Sequence, residues 1–525
     1  MNDWHWHWHY HDYQPEQERL REALCTLGNG YFATRGAAPE AEANKHHYPG
    51  TYLAGGYDRA RSDVHGRTVE NEDLVNLPNW LPLRLTFDDG TEFSLDTVDI
   101  LDYHQGLDMR RGVLEREVRF RDDSARTTRL RQRRLVHMSE HHLAALETEI
   151  TAEDWSGTVT VESALAGSVT NAGVERYQGL EGQHLEPMAT EPVGEDGIWL
   201  KVRTRQSRLE IALAARTRLY RNDEALAGEP SLQQADERIG QIFTLQLDAG
   251  QPIAVEKVVA LYTSRDAAIS ECGLAARNAI ADAPRFAALL AGSALLWQQL
   301  WQRFDLELEL ADDHDHRTAA ILHLHLFHLL VTAGPQVMDL DAGVPARGLH
   351  GEAYRGHIFW DELFIFPTLN LRLPEITRSL LMYRWRRLPA ARAAAREAGY
   401  RGAMYPWQSG SNGREESQQL HLNPRSGHWT PDETHLQRHV NAAIAYNIWQ
   451  YYQTSGDTEF LSFFGAEMLL EIARFWASKA QLNQTLGRYE INGAVGPAPF
   501  PPRHPAPAAP DRANHAYPTV MPGWG

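Results

Sequence analysis

The stretch DAAISECGLAARNAIADAPRFAALLAGSALLWQQLWQRF, residues 266 to 304, divides the chain. It is rich in Ala and Leu with apolar residues at helical spacing, and it predicts a helical linker. Upstream, from about residue 50 to 265, the pattern is different. Short β-type segments such as LPLRLTF, LEREVRF, TVTVESAL, IWLKVRT and RLEIALAA alternate with the turn clusters DDG, DWSG, GEDG and NDEALAG. Regular strand-and-turn spacing over such a length predicts an antiparallel sandwich.

Downstream, FDLELEL at 304 to 310 reads as one returning strand, and from 317 onward the apolar pattern is helical. TAAILHLHLFHLLVTAG, PEITRSLLMYRWRRLPAARAAAREAG, THLQRHVNAAIAYNIWQYYQTSG and TEFLSFFGAEMLLEIARFWASKA are the candidate helices, joined by loops rich in Trp, Gly, His and Pro. In SGDTEFL, Gly456 closes one helix and Asp457 or Thr458 caps the next. The expected division is a β-sandwich over 1–265, a helical linker with its strand over 266–315, and a helical bundle or toroid over 316–525.

Composition narrows the partners. The 525 residues carry a formal net charge of −18, which repels polyanions and makes nucleic acid and anionic membrane surfaces poor partners. A small neutral molecule fits better. The N-terminus lacks a signal-peptide pattern and no run of eighteen apolar residues occurs, so a cytoplasmic location is expected. Cys25 and Cys272 stand far apart without ligand-spaced neighbours and read as buried thiols, not as a disulfide or zinc site. The alternating WHWHWHY near the start invites a metal reading, yet is more simply an amphipathic strand with His on one face. No metal and no cofactor are expected.

Chemistry-bearing residues concentrate between 345 and 440. PARGLHGEAYRGHIFWDELFIFP brings Glu352, Arg355, His357, Trp360, Asp361 and Glu362 together, GYRGAMYPWQSGSNGREESQ follows, and then HLNPRSGHWTPDETHLQRHVNAAIAY. A saccharide site needs flat aromatic faces against the ring and carboxylates or amides for its hydroxyls. Trp360 with Asp361, and Trp407 with Gln408, supply that pairing. Glycoside cleavage further needs a proton donor, and Asp361, Glu362, Glu415 and Glu416 are the local carboxylates; residue type alone does not choose among them. P-loop, dinucleotide and GxSxG signatures are absent.

These stretches, with LGNGYFATRGAAPE, GTYLAGGYD, NLPNWLPL, YRWRRLPAARAAAREAGYRGAMYPWQS and GRYEINGAVGP, resemble glycoside hydrolase family 65, the maltose, kojibiose and trehalose phosphorylases with the acid trehalases. The resemblance implies an N-terminal β-sandwich, a helical linker and an (α/α)6 barrel acting on α-glucosides with inversion, inorganic phosphate serving as co-substrate in a phosphorylase. It places Trp360, Asp361, Trp407 and Gln408 in the donor subsite, with Gln437 and His439 on the barrel's inner side. Arg355, His357, Glu415 and Glu416 are weaker candidates. It also implies a homodimer.

Two departures stand out. FWDEL replaces the family's FWDTE, displacing the second acidic position. In the family a GPDE[FY]H motif follows RYEI and its Glu is the general acid. Here GPAPFP sets Ala498, Pro499 and Pro501 at the Asp, Glu and His positions, and proline has no proton to give. The resemblance further implies that the later barrel helices, the phosphate loop and a C-terminal β-domain lie beyond this chain, leaving the (α/α)6 barrel incomplete.

Overall fold

The computed structural model describes residues 3–177, 179–308, 317–422 and 426–496. Two units emerge. One comprises Met1–Ala60, Val75–Gln336 and Gly348–Ala353, the other Arg61–Leu74, Val337–Arg347 and Tyr354–Gly525.

The first unit is a sandwich of antiparallel sheets. Its large sheet runs His7–Tyr10, Asp99–Asp108, Val113–Arg121, Thr127–Val136, Leu143–Ala152, Ile253–Thr263, Glu210–Arg221, Gly197–Thr204 and Leu185–Val193, with the short Glu224–Ala225 attached to Glu210–Arg221. A four-stranded sheet, Ser231–Ala235, Arg238–Leu247, Gly157–Ala166 and Leu83–Phe87, faces it. Polar ties cross between the sheets: Ser163 and Thr217 hydroxyls meet at 2.8 Å, and the buried Lys257 ammonium donates to Ala164 O at 2.7 Å.

The other face of the large sheet is covered by helices Cys272–Asp282 and Phe286–Phe304. Cys272, Ala276, Ile280, Phe286 and Leu289 pack on Val113, Leu135, Ala145, Ala212, Ala214 and Ala260. The small residues on the strand side let a helix sit close, and double coverage explains why IALAA is apolar without alternation. Cys25 is buried as well. A third sheet joins Leu27–Gly28, Phe32–Thr34, Thr51–Val64 and Arg67–Asn76, and the outer part of its long hairpin, Arg61–Leu74, belongs to the second unit.

The FDLELEL segment departs from expectation. Residues 305–308 form no strand, and Leu306 and Leu308 are exposed; Glu309 and Leu310 lie outside the described residues. The helix Arg317–Thr332 follows. Arg317–Asp339 is long and apolar enough by length and composition to cross a membrane, and 56% of its most apolar window is buried within the protein, as in a core helix.

Helices Glu362–Arg372, Pro374–Arg386, Leu388–Glu397, Val440–Ser455 and Ala466–Lys479 build the second unit. The stretch expected as one helix from 374 is two, broken at Arg387, because Pro389 lacks the N–H that a continuous helix would use and is tolerated only in a first turn. Gly456 takes φ 67° as a left-handed C-cap, and the Asp457 carboxylate caps the following turn by accepting from Phe460 N at 2.8 Å.

Candidate functional site

Two loops of the helical unit are zipped together. Ile358 N donates to Ser409 O at 2.9 Å and Ser409 N returns the bond to Ile358 O at 3.0 Å. This bridge sets the Trp360 and Trp407 rings 6.2 Å apart at 44°. His439 closes the triangle, 4.9 Å from the Trp360 ring and 4.7 Å from that of Trp407. Trp407 and His439 are buried and Trp360 half-buried, so three aromatic rings form one wall whose outer member reaches the rim.

His439 is not inside the helix THLQRHVNAAIAY, contrary to the sequence pattern. It is the residue before Val440, where the helix starts, and Gln437 ends a 3-10 turn over Thr434–Leu436. Burial pushes the His439 imidazole down to about 4, against a hydrogen bond from the ring to the Val495 backbone that raises it. The ring is therefore neutral at pH 7. Asn441 secures the other side, accepting Tyr405 N at 2.7 Å through Oδ1.

The carboxylates separate by role. Asp361 stands at the N-terminal end of Glu362–Arg372, half-buried; burial raises its carboxyl above the usual range while its backbone hydrogen bond and Arg347 oppose this. Glu362 is 2% exposed and paired with Arg384, whose Nη2 donates to Oε2 at 2.9 Å. The same guanidinium donates to Phe359 O at 2.8 Å, so the pair pins the turn carrying Trp360. A carboxylate committed to a buried arginine is a scaffold and a poor proton donor.

Glu415 is likewise a scaffold. It accepts from Trp407 N at 2.8 Å, Gln408 N at 3.1 Å and Ser417 N at 3.2 Å. The neighbouring Glu416 is buried, with Arg414 Nε 3.8 Å away, so the tandem is not a solvated charge run.

Gln408 leads to a residue that sequence reasoning missed. Its Oε1 lies 3.2 Å from His357 Nδ1, and His357 Nε2 lies 2.9 Å from the Glu72 carbonyl oxygen. Both facing atoms are oxygens that only accept, and a neutral imidazole has one N–H, so it donates to one of them at a time. Burial first, then the Arg355 charge, lowers the His357 pKa, while the Gln408 hydrogen bond and the Asp73 and Glu72 charges oppose this. Glu72 itself binds Ser411 N at 2.9 Å. It comes from the hairpin Arg61–Leu74, 285 residues before His357, with no pattern marking its role.

Arg355 is buried, its Nε 4.0 Å from Asp73 Oδ1, inside a run of left-handed residues: Tyr354 at φ 54°, Arg355 at 56° and Gly356 at 66°. Such backbone is costly for side-chain-bearing residues and persists only where packing enforces it. Glu352 lies in the β-rich unit, accepting Tyr48 OH at 2.5 Å, Tyr52 OH at 3.1 Å and Gly173 N at 2.8 Å. A groove of about 860 Å³ in that unit, lined by Arg19, Tyr48, Asn76, Arg84 and Arg238 among others, involves none of the predicted site residues. Ala498, Pro499 and Pro501, at the expected general-acid motif, lie outside the described residues.

A β-sandwich, a helical segment packed on it and a helix-built unit make a two-part carbohydrate-active enzyme fold, and comparison with known proteins gives the family. The chain belongs to glycosyl hydrolase family 65: residues 8–300 match its N-terminal domain and residues 323–522 its central catalytic domain. An uncharacterized glycosyl hydrolase of Mycobacterium tuberculosis is 47% identical over 512 residues, covering 98% of this chain and 38% of that protein. A kojibiose phosphorylase of Caldanaerobacter subterraneus is 32% identical over 91% of this chain and 61% of its own length. A trehalose 6-phosphate phosphorylase of Lactococcus lactis is 32% identical over 96% and 63%. Among solved structures, one described as a putative kojibiose phosphorylase from human microbiome superposes with a TM-score of 0.78 at 23% identity over 94% of this chain and 62% of that one, a likeness of fold. This chain thus spans less than two thirds of these relatives.

Proposed function

We propose that the aromatic wall of Trp360, Trp407 and His439, with Asp361 and Gln408 beside it, is the glucosyl-binding part of an inverting α-glucoside phosphorylase or hydrolase. The observation that carries this reading is the gathering of the Trp360, Trp407 and His439 rings, from three segments far apart in sequence, at one place. Flat rings suit the apolar face of a pyranose, and carboxylate and carboxamide suit its hydroxyls. Gln437 lies two residues from His439 and is assigned to the same subsite. The ligand is a small neutral disaccharide of kojibiose, trehalose or maltose type, inorganic phosphate is the co-substrate of a phosphorylase, and no other cofactor takes part. A helical domain of (α/α)6 type from about residue 316 onward and a cytoplasmic location belong to the same proposal.

Turnover is expected to be impaired. With Pro499 where the family carries its acid, proton donation to the leaving oxygen is lost, a factor of about 10²–10⁴. That substitution favours a second reading, a catalytically inactive sugar-binding chain. Disaccharide titration followed by tryptophan fluorescence, run beside phosphate-dependent and phosphate-independent glucose release, separates the two. Binding that disappears in Trp360→Ala and Asp361→Ala supports the site, and slow release then supports the enzyme. Absence of any saccharide-dependent change sinks both readings.

A further inference from the structure

The WHWHWHY motif is not used by the saccharide site, and the fold gives it a different setting. The strand His7–Tyr10 lies at the edge of the large sheet and pairs only with Asp99–Asp108 among the described strands, placing His9 opposite Gly106. His7 and His9 stack at 5.3 Å, His9 and His11 at 6.0 Å, and His104 from the neighbouring strand stands 4.9 Å from His9 and 5.1 Å from His11. Four imidazoles thus share one face.

Within this group, His11 Nδ1 and His104 Nδ1 are 3.3 Å apart. Two nitrogens held tetrahedrally on zinc, each about 2.0–2.1 Å from the ion, stand about 3.3 Å from one another. Both imidazoles already present their nitrogens at the edge length of such a site. Gly106 leaves room for the third ring: a Cβ there would fall 2.8 Å from His9 Nδ1 and 3.2 Å from His104 Nε2. His9 and His11 are exposed, so an ion has access, and coordination by all three requires His9 to turn toward the pair.

We propose that His9, His11 and His104 form a surface site for a divalent first-row cation of the zinc or copper kind, with His7 flanking it. Imidazole suits these metals, and carboxylate-preferring Mg²⁺ or Ca²⁺ would be refused. Glu115 and Glu117, opposite Gly106 and His104 on the next strand, are already paired, with Arg111 at 3.1 Å and Arg131 at 3.2 Å.

The rival is Glu210, Glu271 and Cys272, whose ligand atoms all lie within 4.8 Å of one another without any side chain moving. There the Lys201 ammonium sits 2.6 Å from Glu210 and 2.8 Å from Glu271 and supplies the positive charge itself.

Isothermal titration of the untagged full chain with ZnCl₂, CuCl₂ and MgCl₂ tests the site. Saturable binding of one Zn²⁺ or Cu²⁺ per chain is expected, weakened about tenfold or more in His11→Ala and His104→Ala, with no heat from Mg²⁺. Gly106→Ala fills the space over the strand without removing a ligand, and it too weakens binding. Unchanged far-UV circular dichroism certifies each variant's fold. No zinc or copper binding by the parent chain, or binding kept by the histidine variants and lost in Cys272→Ser, overturns the proposal.

Discussion

The Glu415 carboxylate accepts the backbone N–H of Trp407 at 2.8 Å, and with its other oxygen that of Gln408 at 3.1 Å. It therefore acts on the proposed saccharide wall through the loop. Hydrogen bonds to an ionised group contribute about 1.5–3 kcal/mol each, so Glu415→Ala should weaken disaccharide binding by about tenfold to a hundredfold. Glu415→Gln keeps one acceptor and turns an NH2 toward the second donor, so its loss should be intermediate. Fluorescence titration reads both, and an alanine variant with parental affinity would remove Glu415 from the site.

Much of the wall was legible because Trp360, Asp361, Trp407 and Gln408 pair aromatic with polar groups in neighbouring loops, a combination that core packing does not require. The roles of Glu362, Glu415 and Glu416 were not legible. A carboxylate's partner, arginine or backbone N–H, depends on tertiary placement that residue type does not encode. Glu72 was hidden for a different reason: it lies on a distant hairpin, and only the fold delivers it. The β-to-helix change near 266 could be read from composition, while the break at Arg387 is signalled by Pro389 and masked by helix-forming sequence on both sides, Leu- and Arg-rich before it and Ala-rich after.

The buried pair of Glu362 and Arg384 makes a stability prediction. Glu362→Ala leaves a guanidinium that is 1% exposed without its carboxylate, and the cost is about 3–5 kcal/mol in urea unfolding. Glu362→Leu with Arg384→Met removes both charges and should recover a good part of that loss. Recovery no better than the single variant would show that the bond from Arg384 to Phe359 O matters more than the ion pair.

Gly356 is the point where the left-handed run meets the hairpin. Its φ is 66°, and a Cβ would stand 2.4 Å from Leu74 Cβ. Gly356→Ala should destabilise the helical unit by more than about 1 kcal/mol, from strain and overlap together. Leu74→Ala does not relieve the overlap, because Cβ remains, and the double variant should be no more stable than Gly356→Ala. A thermal midpoint unchanged by Gly356→Ala would contradict this.

Two buried bases make stability rise with pH in different windows. Lys257 is wholly buried between the sheets, and burial, reinforced by Arg238, lowers its ammonium from 10.5 to about 7. Between those values the unfolded chain binds more protons than the folded one, so the sandwich gains stability as pH rises from about 7 toward 10.5. Lys257→Met removes that gain and should raise the unfolding midpoint at pH 7. For His439 the window lies between 6.5 and about 4, the unfolded chain again binding more protons. The stability present above pH 6.5 is lost as pH falls through this range, on the order of 3 kcal/mol at 1.36 kcal/mol per unit. His439→Gln should flatten the acid limb and leave the alkaline one untouched, while Lys257→Met does the reverse. Calorimetric scans from pH 4 to 10 at fixed ionic strength read both limbs. A variant that shifts both limbs together would mean that neither titration acts locally.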